Sequence, residues 1–88
     1  MKIIYTKRFK KQFKKLQSGE KIKFKRMTNL FTNKTSDPLL PVHELHGKLS
    51  HYKSFNVTGD LRVLYEQINE ETVLFAYIDT HSNLYSGK

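Results

Sequence analysis

The chain has 88 residues, 38% of them hydrophobic, and 16 Lys and Arg against 8 Asp and Glu give it a formal net charge of +8. One domain, 1–88, exhausts that length, and a chain so short buries only about 60–65% of its unfolded surface. Cysteine is absent, which excludes a disulfide scaffold, Cys-ligated zinc and thiol catalysis and suits a reducing cytoplasm; no apolar run nears the roughly 18 residues of a membrane span, so neither membrane insertion nor secretion is expected.

Residues 2–5 read as a short strand, because Ile3, Ile4 and Tyr5 favour extended backbone. Thr6 then suits a helix N-cap. Phe9, Phe13 and Leu16 recur at i, i+4 and i+7, one stripe of a helix whose other face is Lys7, Arg8, Lys10, Lys11, Lys14 and Lys15. Ser18-Gly19 is expected to end that helix, with the glycine as C-terminal cap. A second helix is predicted from residue 20 to about 32, with Phe24, Met27, Leu30 and Phe31 on its apolar face and Ile22 off that stripe. Two amphipathic helices joined by a short turn make a helical hairpin.

Residues 33–41, with Pro38 and Pro41, read as a loop. Residues 43–49 are ambiguous and allow a short extended segment ending near Gly47. Residues 52–57, 61–68 and 72–79 read as strands, separated by the turns Thr58-Gly59-Asp60 and Asn69-Glu70-Glu71, so they form an antiparallel meander. The tail from Thr80 is polar, anchored by Leu84 and Tyr85. The order β-α-α-β-β-β, helices segregated from strands, predicts an α+β fold: a helical hairpin on one face of a small antiparallel sheet, the opposite face open to a ligand.

Charge is distributed unevenly. Residues 1–34 hold 12 Lys and Arg and the single acid Glu20, whereas residues 35–88 hold 4 bases and 7 acids. A one-sided positive field attracts polyanions or an acidic protein, and exceeds what solubility requires. Of the four histidines, His43, His46 and His51 fall close together, but without cysteine or a tight acid cluster they do not make a metal site; for His46 and His51 an ordinary exposed loop position is the expectation. His81 directly follows a strand, where loops commonly present functional side chains. Arg62 interrupts the apolar run Leu61, Val63, Leu64 and Tyr65, which is costly unless it is paired, with Asp79 or Glu66 for example, or faces an open surface.

The segments Leu45-His46-Gly47-Lys48-Leu49, Tyr52-Lys53-Ser54-Phe55-Asn56-Val57 and Gly59-Asp60-Leu61-Arg62-Val63-Leu64-Tyr65 resemble the RelE/ParE toxin superfamily. The closing Ile78-Asp79-Thr80-His81-Ser82-Asn83-Leu84-Tyr85 is similar to its YafQ-like branch, and the resemblance covers nearly the whole chain. It implies a cytoplasmic bacterial toxin of a type II toxin–antitoxin system: a ribosome-dependent endoribonuclease, using no metal or cofactor, that cuts mRNA by attack of a 2′-hydroxyl on the adjacent phosphate. Such chemistry needs a proton acceptor, positive charge at the phosphate and a proton donor for the leaving oxygen.

The resemblance makes His81 a general acid or base, Arg62 the stabiliser of phosphate charge, Asp60 an acid that orients a histidine or transfers a proton, and His43 a second histidine. It makes Lys53 a phosphate-facing cation and Tyr85 an aromatic that stacks on a base. Lys10, Lys11 and Lys14 would grip ribosomal RNA phosphates. Three positions depart from the YafQ-like pattern: Asn56 stands where a histidine is typical and can only hydrogen-bond substrate, Leu61 replaces a tryptophan, and Tyr77 replaces a basic residue. The implied partners are a cognate antitoxin, the ribosome and mRNA, with promoter DNA met only through the antitoxin. A ParE-like gyrase-binding toxin and a non-catalytic RNA-binding domain are the alternatives. Strand register at Thr58-Gly59-Asp60 is left open: a two-residue turn sets Phe55 opposite Arg62, a three-residue turn Asn56.

Overall fold

The computed structural model describes residues 1–32, 42–45, 47 and 50–85. In chain order the elements are β1 (Lys2–Tyr5), α1 (Lys7–Lys14), α2 (Ser18–Thr32), β2 (Val42–Glu44), β3 (Lys53–Asn56), β4 (Leu61–Asn69), β5 (Thr72–Thr80) and α3 (His81–Tyr85). The strands form one sheet in the order β1-β5-β4-β3-β2. The α+β architecture with an N-terminal helical hairpin is as expected. The expected loop at 33–41, His46 and the last residues of the tail lie outside the described residues.

Thr6 caps α1 by accepting the Phe9 N–H at 3.0 Å. The helix stops earlier than the Ser18-Gly19 boundary. Its end tightens, the Lys15 N–H reaching the Gln12 carbonyl and the Leu16 N–H that of Phe13, each at 3.1 Å. Ser18 and Gly19 instead open α2. The local reason is Glu20, whose Oε1 accepts the Gln17 N–H at 2.9 Å, the reciprocal half of a capping box.

The core lies between the hairpin and one sheet face. Phe9, Phe24, Phe55, Val57, Leu61, Val63, Tyr65, Val73, Phe75 and Ile78 form a single buried cluster, with Met27, Leu30 and Phe31 packed against it. Phe75 is its centre, with ring centroids of Tyr5, Phe9, Phe24, Phe31, Phe55 and Tyr65 all 5.7–6.2 Å away. Aromatic pairs at such separations add about 0.5–1.5 kcal/mol each beyond area burial. Burial pushes the Tyr65 hydroxyl up to about 12.

Two features of the sheet go beyond the sequence reading. The ambiguous 43–49 segment supplies a fifth strand, β2, antiparallel to β3 with His43 opposite Ser54. The sheet is also not wholly antiparallel: β1 runs parallel to β5, Ile3 beside Val73 and Tyr5 beside Phe75. β1 ends at Tyr5 while β5 continues to Thr80, and α1 covers the exposed edge. The Thr6 hydroxyl donates to the Ala76 carbonyl at 2.7 Å, and the Ile78 N–H donates to Gln12 Oε1 at 3.2 Å. The side chains of the α1 N-cap and of Gln12 within α1 thus replace the missing strand partner.

Candidate functional site

Alternation along the strands sends Leu61, Val63 and Tyr65 to the core and Arg62 and Leu64 to the other face. The open register is resolved at the turn. Thr58 Oγ1 accepts the N–H groups of Asp60 and Leu61, at 3.3 and 3.0 Å, and Asn56 falls opposite Arg62. Arg62 in turn faces Asp79 on β5. The row Asn56–Arg62–Asp79 therefore crosses three strands of the second face, and His43–Ser54–Leu64–Tyr77 forms the next row.

Asp60 and His81 complete this end of the sheet. Leu61 pairs with Thr80, so the residues just outside that pair meet. The His81 N–H bonds to the Asp60 carbonyl at 2.9 Å and to its carboxylate at 3.3 Å. The predicted polar tail is instead a short helix, α3. Thr80 caps it by accepting the Asn83 N–H at 3.2 Å. The cap fixes where His81 leaves the sheet, with its side chain exposed.

Sequence reasoning missed the network that ties α3 to α1. Asp79 Oδ2 accepts from Gln12 Nε2 at 3.0 Å. Its Oδ1 accepts the Thr80 N–H at 2.8 Å and Asn83 Nδ2 at 2.9 Å. Neutral donors thus satisfy both oxygens of the acid that faces Arg62. Asn56 Oδ1, by contrast, is buried and accepts no hydrogen bond, which costs about 1–3 kcal/mol unless a ligand supplies a donor. Arg8, Gln12, Leu64, Tyr77, Asp79, Asn83 and Leu84 line a cleft of about 210 Å³ beside this row. The usable sequence signal was Arg8 and Gln12 at i, i+4, a second polar stripe adjoining Phe9 and Phe13.

The other candidate residues are more dispersed. His43 is exposed on the same face, but two strands from Arg62, a lateral step of about 10 Å. Lys53 pairs with Tyr65, which places it on the core side of the sheet, at its exposed margin. Lys10, Lys11 and Lys14 are exposed on α1. Tyr85 closes α3; its side chain lies outside what the structure describes. Burial, aided by its hydrogen-bonded neighbour Tyr77, raises the Tyr52 hydroxyl above its usual value. Among the described residues, no cluster of three His, Cys, Asp or Glu is arranged to hold a metal ion, and no helix is long and apolar enough to cross a membrane.

A second concavity lies on the hairpin side, about 330 Å³, lined by Tyr5, Phe9, Lys10, Phe13, Lys14 and Phe24. It adjoins another bounded by Lys21, Ile22 and Lys25. Ile22, off the apolar stripe, is 70% exposed at that margin. An apolar furrow edged by lysines suits an amphipathic acidic segment.

The structure is thus an N-terminal helical hairpin on a mostly antiparallel five-stranded sheet, with a polar row at one end of its second face. The family described as bacterial toxin of type II toxin–antitoxin system, YafQ, matches residues 1–86, and the chain belongs to it. YafQ from E. coli strain BL21(DE3) is 26% identical, with TM-score 0.77 over 94% of this chain and 96% of that one. YafQ in the E. coli DinJ–YafQ toxin–antitoxin complex is also 26% identical, with TM-score 0.75 over 94% of each chain. A chain of the RelB–RelE antitoxin–toxin complex from Methanococcus jannaschii is 18% identical, with TM-score 0.72 over 94% and 95%, and shows the fold alone. No curated protein sequence matches the chain.

Proposed function

We propose that this toxin is a ribosome-dependent endoribonuclease that cleaves mRNA and so halts translation. The observation that carries this reading is that Asp60 and His81 are joined at the same end of the second sheet face as Arg62. A base takes the proton of the 2′-hydroxyl, O2′ bonds to the adjacent phosphorus, and the P–O5′ bond breaks as O5′ receives a proton. The products are a 2′,3′-cyclic phosphate and a 5′-hydroxyl. Arg62 stabilises the charge that builds on the phosphoryl oxygens, its guanidinium fork matching two of them. His81 carries one of the two proton transfers, because an imidazole can serve either as proton donor or as acceptor. Asp60 holds the start of α3 against the strand, and so orients His81.

Asn56 donates a hydrogen bond to the RNA or accepts one, without exchanging protons. Tyr85 stacks on a base. His43 meets RNA further along the second face, Lys53 meets a phosphate at the exposed margin of the core side, and Lys10, Lys11 and Lys14 hold ribosomal RNA phosphates. The cognate antitoxin is the protein partner; its acidic amphipathic segment fits the lysine-edged furrow of Tyr5, Phe9, Phe13 and Phe24, and promoter DNA is met through it. A ribosomal site of action fits the bacterial cytoplasm.

Pulse labelling after induction separates this reading from a gyrase-directed toxin or a passive RNA binder. Incorporation of labelled methionine is expected to fall within minutes while thymidine incorporation continues. Loss of thymidine incorporation first would transfer the protein to the gyrase class.

A further inference from the structure

Arg8 stands one helical turn before Gln12, on the stripe of α1 that overlooks the second sheet face. Its guanidinium carbon is 5.3 Å from the centroid of the Tyr77 ring. A ring holds a cation without neutralising it: the face attracts the charge, while the edge N–H groups remain able to donate. The acid nearest in the cleft, Asp79, has both oxygens engaged by Gln12, the Thr80 N–H and Asn83. Tyr77 pairs with Leu64, the floor of the cleft, and Asp79 with Arg62. Arg8 is therefore carried one row of the ladder from Arg62, a step of about 7 Å along the strands.

We propose that Arg8 is a second RNA-binding cation of the site, taking the phosphodiester that neighbours the one held by Arg62, and that Tyr77 is its positioning residue. The strand then runs across the second face from Arg62 into the cleft framed by Arg8, Gln12 and Asn83. Assignment of the neighbouring phosphate as scissile rests on the ribonuclease reading; the binding role of Arg8 does not.

Two assays distinguish these. The first measures binding of free toxin to a short single-stranded RNA, 2′-O-methylated throughout so that it is not cut, across a salt series. Loss of one phosphate contact on a single strand lowers the slope of log K against log salt by about 0.7. Arg8→Ala and Tyr77→Leu are both expected to show that decrement, Tyr77→Phe to retain the parental slope, and the Arg8→Ala/Tyr77→Leu double variant to lose no more than either single. Lys23→Ala, which removes an equal charge from α2, is the control. The second assay is mRNA cleavage on ribosomes, where Arg8→Ala and Tyr77→Leu are expected to slow cutting about tenfold and Tyr77→Phe to leave it near parental. An Arg8→Ala slope equal to that of Lys23→Ala would overturn the proposal, as would additive losses in the double variant. A parental toxin that never cuts, but shows the Arg8-dependent slope, would leave this site standing and remove the ribonuclease reading.

Discussion

At the residue scale Arg62 is the decisive side chain. It sits half-buried between Asn56 and Asp79 in a row crossing three strands, a place where a cation is retained only for what it meets. Arg62→Ala is expected to lower ribosomal mRNA cleavage about 10²-fold or more, the scale of losing a transition-state charge partner; a loss below threefold, measured by single-turnover cleavage, would make it structural. Arg62 and His81 stood out in the sequence, as a charge in an apolar run and a histidine at a strand end, whereas Asp60 was singled out by the family resemblance. Asp79 was legible only as a pairing option for Arg62. Its bonds to Gln12 and Asn83 depend on where α1 and α3 dock, which no spacing along β5 encodes. The side of the sheet taken by Asn56 depended on a single residue of turn length, and the Thr58 hydroxyl decides it.

At the scale of elements, the edge of β5 shows how a helix substitutes for a strand. Gln12 uses both ends of its amide, accepting from the Ile78 N–H and donating to Asp79. Gln12→Ala leaves a partly buried N–H without its acceptor and is expected to cost about 1–3 kcal/mol of stability, read as a lower urea midpoint with an unchanged m-value. An unchanged midpoint would show that water or a neighbour replaces the amide. The meander was legible because its strands are long, apolar and separated by short polar turns. The parallel β1–β5 pair was not, since it joins chain segments some 70 residues apart and leaves no local signature. The boundary between α1 and α2 was misplaced because Gly19 resembles a C-cap, whereas Glu20, reaching back to the Gln17 N–H, makes it part of a helix start. α3 was missed because its five residues are too few to show a periodicity; only the Thr80 cap announces it.

At the scale of the whole molecule, the two faces divide the work. The helix side combines the Phe-rich core, the lysine-rich hairpin and the apolar furrow, while the second face carries the polar row Asn56–Arg62–Asp79. Stability has an alkaline limit set in the core. Tyr65 is held protonated up to about 12 in the folded chain, against about 10 when unfolded. Below about pH 10 both states bind the proton and its contribution is intact. Between about 10 and 12 the unfolded state releases it first, so stability falls as pH rises. Urea unfolding across that window is expected to show the decline, and Tyr65→Phe to lessen it; an identical decline in the variant would place its cause elsewhere. The most direct test of the central claim is primer extension on a defined mRNA in translating ribosomes, with the parental toxin and with His81→Ala. The account predicts discrete stops and 5′-hydroxyl ends with the parental chain, and intact message with the variant. Equal cleavage by a folded His81→Ala toxin would contradict the role given to this end of the sheet, and intact message with both would contradict the ribonuclease itself.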